Sequence, residues 1–280
     1  MSDTPAHQGS GKSGAPPVAY YDTQYTHIAA DMNAEVRREA FGEDIGQNSW
    51  LTTDEYRRFI NWLDLGPVSH VLDIGSGSGG PAIFLAEATG CRLTGIDLNE
   101  SALAEANRRT GERGLHERVR FERGDASKPL AFGDGAFDAV VCIDAINHLP
   151  GRPHLLAEWA RVLRAGGRVL FTDPITVTGI LGNDEIATRT SIGYFMFTPE
   201  GVDERLIQDA GLELVRREDV TENTAAVGRR FHEARARHRE HLIPLEGAET
   251  FEGTQAFLWT AHVLAAERRL SRFVFLARKP

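Results

Sequence analysis

The alternation of short apolar runs with helical stretches between residues 68 and 173 constrains the fold more than any other feature of the sequence. Five such runs, each bounded by Gly or Asp, are VSHVLDI, CRLTGID, RVRFERGD, FDAVVCID and GRVLFTD. Apolar strands that alternate with helices at this spacing are typical of βαβ units, in which a parallel sheet carries helices on both faces. The sequence therefore predicts an α/β fold with a mostly parallel sheet.

The pattern changes after the fifth run. Residues 174–198 fit neither period, and we expect them to form a cap insertion over the sheet. Thr198 and Pro199 suit the N-cap and first position of a helix, which predicts a helix over residues 199–210. The remaining chain predicts a strand at 212–220, helices over 223–241 and 254–269 within a helical stretch at 221–269, and a last strand at 272–279.

The N-terminal part of the chain differs in composition from the rest. Residues 1–17 are rich in Gly, Ser and Pro and contain few apolar side chains, so we expect a disordered tail. Residues 18–66 predict a helical lid, with helices over 25–41 and 54–63 on either side of the polar segment FGEDIGQNSW, and with Thr52 or Thr53 as an N-cap. Residues 67–280 would form the main domain.

Composition excludes several classes of partner. The formal net charge of −9 would repel a phosphate backbone, so a nucleic-acid partner is not expected. Cys91 and Cys142 both lie in apolar runs and are interpreted as reduced core thiols. The sequence has no 18-residue apolar stretch and no signal-peptide pattern, so we expect a cytoplasmic protein without a membrane partner.

Glycines and acids gather at the predicted carboxyl ends of consecutive strands. The segment VLDIGSGSGG places Gly75, Gly77 and Gly79 where a strand gives way to a helix, with Asp73 just before them. Asp97 and Asp125 end the next two strands. Each acid alone could be a cap or turn residue. Their conjunction at the edge where open α/β sheets bind ligands favours a ligand site.

This run, from about residue 68 to 173, resembles the core of the class I S-adenosylmethionine-dependent methyltransferases. The resemblance implies S-adenosylmethionine as cofactor, with S-adenosylhomocysteine as product, and a Rossmann-like seven-stranded sheet whose last strand is antiparallel. It places Asp97 at the ribose and Asp125 with Ala126 at the adenine, and no metal is expected. The predicted donor-binding residues are Gln47, Asp73, Gly75, Ser76, Gly77, Gly79, Asp97, Leu98, Asp125, Ala126 and Asp144.

Asp144 and His148 follow the fourth strand in CIDAINHLP and are candidate catalytic residues. An imidazole suits proton transfer near neutral pH, although a lone His at a loop is often structural. DAINHL and FGEDIGQNS resemble segments of the phosphoethanolamine methyltransferases, in which a lid tyrosine and a histidine form a dyad. The resemblance assigns the histidine to His148 and the tyrosine to Tyr25, with Tyr20 or Tyr21 as alternatives.

One departure bears on the substrate. Where the resembling family binds phosphate, this chain reads TSIGYFMFT, with Ile192 in place of an expected arginine and Pro174 in place of a tyrosine. Phosphoethanolamine is therefore an improbable substrate, and a more apolar or aromatic acceptor is favoured. The predicted substrate contacts are Tyr21, Tyr194, Phe197 and Trp259.

The leading hypothesis is transfer of a methyl group to a small molecule by in-line displacement, with an amine nitrogen as the favoured acceptor atom and His148 as the base or orienting residue. YYD and GEDIG are also similar to glycine, sarcosine and dimethylglycine methyltransferases, which supports an amine. The alternatives are O- or C-methylation of a natural product, or a protein that binds S-adenosylmethionine without transferring its methyl group. A monomer or a homodimer is expected. A nicotinamide-dependent oxidoreductase is disfavoured by the GxGxG loop and by Asp125.

Overall fold

The structure is a computed structural model, and it describes residues 31–280. The predicted tail at 1–17 and the tyrosines at positions 20, 21 and 25 lie outside the described residues. Within residues 31–280, no helix has both the length and the apolar character that crossing a bilayer requires.

One mixed sheet forms the centre of the molecule. Its order is β3-β2-β1-β4-β5-β8-β7, and the two-residue β6 pairs with the end of β5. β1 to β5 are parallel, whereas β8 runs antiparallel to β5 and β7. This confirms the predicted Rossmann-like sheet and its antiparallel last strand. The strands are β1 (His70–Ile74), β2 (Arg92–Asp97), β3 (Val119–Arg123), β4 (Phe137–Cys142), β5 (Leu163–Val177), β6 (Thr198–Pro199), β7 (Glu213–Asp219) and β8 (Leu270–Arg278).

Ten α-helices accompany the sheet in the described part of the chain. They are α1 (Asp31–Phe41), α2 (Thr53–Asn61), α3 (Gly80–Thr89), α4 (Glu100–Glu112), α5 (Arg152–Val162), α6 (Asn183–Arg189), α7 (Val202–Asp209), α8 (Thr221–Arg237), α9 (Arg239–Glu246) and α10 (Ala248–Ala266). A 3₁₀ turn (Ile146–His148) follows β4.

The central strands of the sheet are buried on both faces, as strands between crossover helices must be, whereas β3 and β7 at its two edges have exposed side chains. Alternate residues of one strand serve opposite cores: Val71 packs with α2 and α3, whereas Leu72 and Ile74 pack with α5. Cys91 and Cys142 are buried free thiols, as expected. Burial on both faces leaves the carboxyl ends of the strands as the edge where polar side chains can meet a ligand.

The helix predicted over residues 199–210 begins later than expected, because Thr198 and Pro199 pair with Thr176 and Val177 of β5 instead of starting a helix. Gly201, with φ +82°, then turns the chain into α7. β5 also extends through residue 177, so the first residues of the predicted cap insertion belong to the sheet. Both differences arise from strand pairing, which a local cap signal does not reveal.

Helices α1 and α2, which belong to the predicted lid, lie on either side of a loop over residues 42–52, called here the lid loop. Thr52 caps α2 by accepting a hydrogen bond from the Glu55 amide at 3.4 Å, as predicted. The loop passes so close to α3 that a Cβ on Gly80 would lie 2.2 Å from the Ile45 carbonyl oxygen. This contact places residues 47–50 at the carboxyl edge of the sheet, beside β4.

Candidate active site

The glycine loop joins β1 to α3 in a backbone conformation that requires glycine. Gly75, Gly77 and Gly79 have φ values of +70°, +52° and +78°, which side chains other than glycine rarely adopt. A Cβ on Gly75 would lie 2.6 Å from the Ala145 Cβ. The loop therefore presents bare backbone to the space beside β4.

Asp97, at the end of β2, connects this loop to the following helix. Its Oδ2 accepts a hydrogen bond from the Gly77 amide at 2.8 Å, and its Oδ1 accepts one from the Asn99 amide at 2.9 Å. Burial raises the pKa of Asp97, while the amides of Asn99 and Gly77 act in the opposite direction. Each carboxylate oxygen can accept more than one hydrogen bond, so the side chain can hold the loop and also bind a diol.

A cavity of about 230 Å³, called here the loop cavity, opens beside these residues and is lined by Gly75, Asp97, Leu98, Ala126 and Ala145, among others. Leu98 lines it with 48% of its surface exposed. An apolar side chain exposed beside an acid and a bare backbone loop suits a ligand that combines a flat ring with a diol. The loop cavity therefore fits the adenosine part of S-adenosylmethionine.

Asp73 and Ser76, which are also predicted to bind the methyl donor, lie close to the glycine loop and are buried. Burial, and then the charge of Asp97, raise the pKa of Asp73 to about 7. Ser76 is buried beside Gly95, and its Oγ has no hydrogen-bond partner within residues 31–280. Both side chains are buried next to the glycine loop and support its conformation.

Two other predicted donor residues are engaged with nearby backbone. Gln47 is buried, and its side chain accepts from the Ile45 amide and donates to the carbonyls of Glu43 and Leu51, which fixes the lid loop. Asp125 Oδ1 accepts hydrogen bonds from the amide and the hydroxyl of Ser127. Their predicted contacts with the cofactor remain predictions.

Asp144 lies where β4 ends and has φ +51°, a rare conformation for a residue other than glycine. Its Oδ2 accepts from the Trp50 amide at 2.9 Å, and its Oδ1 accepts from the Thr172 hydroxyl at 2.7 Å and from Arg272 Nε at 2.8 Å. Both carboxylate oxygens are therefore engaged, and through Trp50 they anchor the loop over residues 42–52 beside β4. The predicted catalytic and donor-binding roles of Asp144 remain predictions.

Arg272, the second half of this anchor, is completely buried at the start of β8. Its Nη1 donates to Glu55 Oε2 at 2.6 Å, and Asn223 Nδ2 donates to the same oxygen at 3.1 Å and to the Trp50 carbonyl at 2.8 Å. Burial raises the pKa of Glu55, whereas the charge of Arg272 lowers it. One guanidinium thus compensates two buried carboxylates from distant parts of the chain.

His148 is half-buried at the end of the 3₁₀ turn. Its Nδ1 lies 2.9 Å from the Tyr194 carbonyl oxygen and must donate to it, so Nε2 carries the lone pair and accepts from Asn147 Nδ2 at 3.1 Å. Burial is the main cause that lowers the pKa of His148 to about 4; the hydrogen bond to Tyr194 opposes this shift, and the charge of Arg189 acts in the same direction as burial. The imidazole is therefore neutral and a proton acceptor at Nε2.

A second cavity of about 100 Å³, called here the cap cavity, lies between the sheet edge, α6, α8 and α10. It shares Asn48, Asp144 and His148 with the loop cavity, so the two meet at these residues. Its walls include the rings of Trp50, Phe195, Phe231 and Phe257 and the arginines Arg189 and Arg235.

The predicted substrate residues in the described chain have separate locations. Tyr194 lines the loop cavity and orients His148 through its carbonyl. Phe197 packs against Ile175 and Leu264. Trp259 is 48% exposed and lies beside His232 and His262. None of the three lines the cap cavity, whereas Ile192 and Pro174, which replace the expected phosphate contacts, both do.

Several residues of the site escaped the sequence reasoning. Arg272 has a signal in the sequence, because an arginine that opens an apolar strand must find a buried carboxylate. Asn147 adjoins the predicted His148. Arg189, Arg235 and Thr254 have no such signal, since their helices are not distinguished in the sequence from ordinary packed helices.

Comparison with known proteins agrees with this geometry. A family described as a methyltransferase domain matches residues 71–167. The 27-O-demethylrifamycin SV methyltransferase of Amycolatopsis mediterranei is 30% identical over 266 residues, which cover 89% of this chain and 95% of the relative. The sarcosine/dimethylglycine N-methyltransferase of Halorhodospira halochloris is 32% identical over 166 residues, or 56% of each chain.

The solved structure of Haemonchus contortus phosphoethanolamine N-methyltransferase 2, in complex with phosphomonomethylethanolamine and S-adenosylhomocysteine, has the same fold. Its TM-score is 0.78 at 21% identity, and the match covers 93% of this chain and 60% of that one. With the glycine loop, Asp97 and a near full-length relative in agreement, this chain belongs to the S-adenosylmethionine-dependent methyltransferases that act on small molecules.

Proposed function

We propose that this enzyme methylates a hydroxyl group on a small molecule with an apolar or aromatic body. The acceptor occupies the cap cavity, with its hydroxyl near His148, and the donor occupies the loop cavity. The sequence predicts an amine as the favoured acceptor and a hydroxyl as an alternative, and we propose the reverse order. The reason is the charge of the cap cavity.

Asp144 is the single carboxylate among the described residues that line the cap cavity, and it is ion-paired with buried Arg272. The other charged residues of that lining are Arg189 and Arg235. The guanidinium of Arg189 lies over three rings, 5.8 Å from the Trp50 centroid, 5.5 Å from Phe195 and 4.5 Å from Phe257. Arg235 is ion-paired with Glu246, so the cation that bears on the acceptor is Arg189. An aliphatic amine, which is a cation at neutral pH, would meet a guanidinium already placed over the aromatic rings, whereas a hydroxyl brings no charge to that place.

The relative that aligns over nearly its whole length supports the same choice. Its name specifies the 27-O position of demethylrifamycin SV, whereas the sarcosine/dimethylglycine N-methyltransferase relative aligns over little more than half its length. The apolar wall at Ile192 and Pro174 agrees with an acceptor that carries no phosphate.

S-adenosylmethionine supplies an electrophilic methyl group on its sulfonium sulfur. Asp97, Gly75 and Leu98 would hold its adenosine part, and the cavities meet at Asn48, Asp144 and His148, so the two reactants would approach each other there. Methyl transfer by direct displacement depends chiefly on such alignment.

His148 removes the hydroxyl proton. Tyr194 fixes the tautomer, so Nε2 faces the acceptor with a lone pair, and the hydroxyl takes the place of the Asn147 amide as its hydrogen-bond donor. Because its pKa is about 4, the imidazole of His148 is unprotonated at neutral pH and can accept a proton, but it is a weak base. We therefore propose that the proton moves to Nε2 as the new O–C bond forms, as in general-base catalysis.

The test is steady-state kinetics of His148→Ala with 4-hydroxyacetophenone as acceptor. Turnover should fall by roughly 10²–10⁴-fold, the usual contribution of a positioned base, with donor affinity nearly unchanged. In the wild type, kcat/KM should be level through neutral pH and should decline below about pH 5, as Nε2 becomes protonated with its pKa of about 4. The variant should lack this decline.

His154→Ala is the matched control, because His154 is exposed on α5 away from both cavities; its kinetics should equal those of the wild type. Wild-type turnover in His148→Ala, or a decline centred near pH 6.5 in the wild type, would show that His148 at this pKa is not the base.

A further inference from the structure

The cap cavity contains polar atoms that the protein itself leaves without hydrogen bonds. Within residues 31–280, Asn147 Oδ1, Arg235 Nε and Thr254 Oγ1 have no hydrogen-bond partner. All three residues line the cavity and are nearly inaccessible, with exposures of 1%, 4% and 8%. Buried polar atoms are rarely left unsatisfied, so their concentration around one apolar cavity indicates a ligand that completes them.

These atoms lie in two groups. Asn147 adjoins His148, at the end where the cap cavity meets the loop cavity. Arg235 on α8 and Thr254 on α10 line the cap cavity alone. Glu246 is ion-paired with Arg235 through Nη2, and the ring of Phe251 lies 5.2 Å from its guanidinium carbon. These contacts fix the guanidinium in place and leave its Nε–H available.

We infer that the acceptor carries, at the end of its apolar body remote from the reacting hydroxyl, a carbonyl or carboxylate oxygen that accepts hydrogen bonds from Arg235 Nε and Thr254 Oγ1. The inference rests on the proposed function for the position of the hydroxyl. The aromatic side chains that line the cap cavity match the apolar body. The acceptors Asn147 Oδ1 and His148 Nε2, together with the donors Arg235 Nε and Thr254 Oγ1, would set its direction in the cavity.

The experiment measures binding to the enzyme saturated with S-adenosylhomocysteine, by calorimetry, for three para-substituted phenols. 4-Hydroxyacetophenone carries a carbonyl, 4-hydroxybenzoate carries a carboxylate, and 4-ethylphenol carries neither. The wild type should bind one or both of the first two at least about tenfold more tightly than 4-ethylphenol, which is the worth of one or two hydrogen bonds. Whichever of these two compounds binds more tightly shows whether the pocket prefers a neutral carbonyl or a charged carboxylate.

Thr254→Val removes the hydroxyl at constant shape and should reduce this preference by about three- to tenfold. Arg235→Lys keeps the charge facing Glu246 but removes Nε–H, and it should act in the same direction. Thr224→Val is the matched control: its hydroxyl on α8 is buried and also lacks a partner in the described chain, but it does not line the cavity. Thr224→Val should retain the full wild-type preference.

Equal binding of the three phenols by the wild type, binding of none of them, or an undiminished preference in Thr254→Val would overturn the inference. Turnover on the same compounds separates it from the proposed function. The expected preference without methylated product contradicts hydroxyl methylation alone, whereas product formed without any preference contradicts the remote polar group alone.

Discussion

At the scale of single residues, Asp97 at the end of β2 has two roles: it holds the glycine loop, and it is predicted to bind the diol of the donor. Its two carboxylate oxygens accept hydrogen bonds from the amides of Gly77 and Asn99, which sets the glycine loop, and the residue lines the loop cavity. Burial raises its pKa while the amides compensate. A diol would add hydrogen bonds that stabilise the charged form further.

Asp97→Ala should weaken S-adenosylhomocysteine binding by roughly tenfold to hundredfold, because loss of a charged acceptor costs about 1.5–3 kcal/mol. Calorimetry gives the dissociation constant, and circular dichroism checks that the fold is kept. Asp134→Ala, at an exposed surface pair with Arg161, is the control and should leave the affinity unchanged. Unaltered affinity in Asp97→Ala would remove Asp97 from the donor site.

At the scale of elements, the buried anchor explains how the lid is held to the sheet. Arg272 of β8 binds Glu55 of α2 and Asp144 after β4, and Asp144 in turn holds the Trp50 amide. Trp50 forms part of the cap cavity, so the same contacts that fasten the lid also set one wall of the acceptor pocket. The left-handed conformation of Asp144 is maintained by these partners.

Arg272→Met should lower the free energy of unfolding by about 3–5 kcal/mol, because it leaves two buried carboxylates uncompensated. Urea denaturation followed by circular dichroism measures this. Arg278→Met is matched in strand and residue type, but its pair with Glu213 is exposed, so it should cost no more than about 1 kcal/mol. Similar losses in the two variants would contradict the anchor.

The elements themselves were predictable where the signal is local. The first five apolar runs all form strands, because each is bounded by residues that end a strand and contributes apolar side chains to the core. Thr198 and Pro199 were misassigned to a helix because their pairing with β5 depends on residues 176 and 177, which the local pattern does not include. A cap signal and a short edge strand look alike in sequence.

At the scale of the whole molecule, the donor side of the site could be predicted and the acceptor side could not. Gly75, Asp97, Leu98 and Ala126 line one cavity because consecutive parallel strands bring their carboxyl ends together. Arg235 and Thr254 meet the cap cavity only through the packing of α8 on α10, and Arg272 reaches Glu55 across 217 positions. Contacts between residues so far apart in the chain produce no periodic pattern in the sequence from which they could be predicted.

The central claim is that the methyl group goes to an oxygen. The direct measurement is a competition in which equimolar 4-hydroxyacetophenone and 4-(aminomethyl)acetophenone are incubated with the enzyme and with donor carrying a ¹³C-labelled methyl group, at neutral pH. Carbon NMR distinguishes O-methyl from N-methyl products. The account predicts an O-methyl signal in large excess, because the aliphatic ammonium meets the Arg189 guanidinium over the aromatic rings of the cap cavity. A predominantly N-methyl product would contradict it and restore the amine as acceptor.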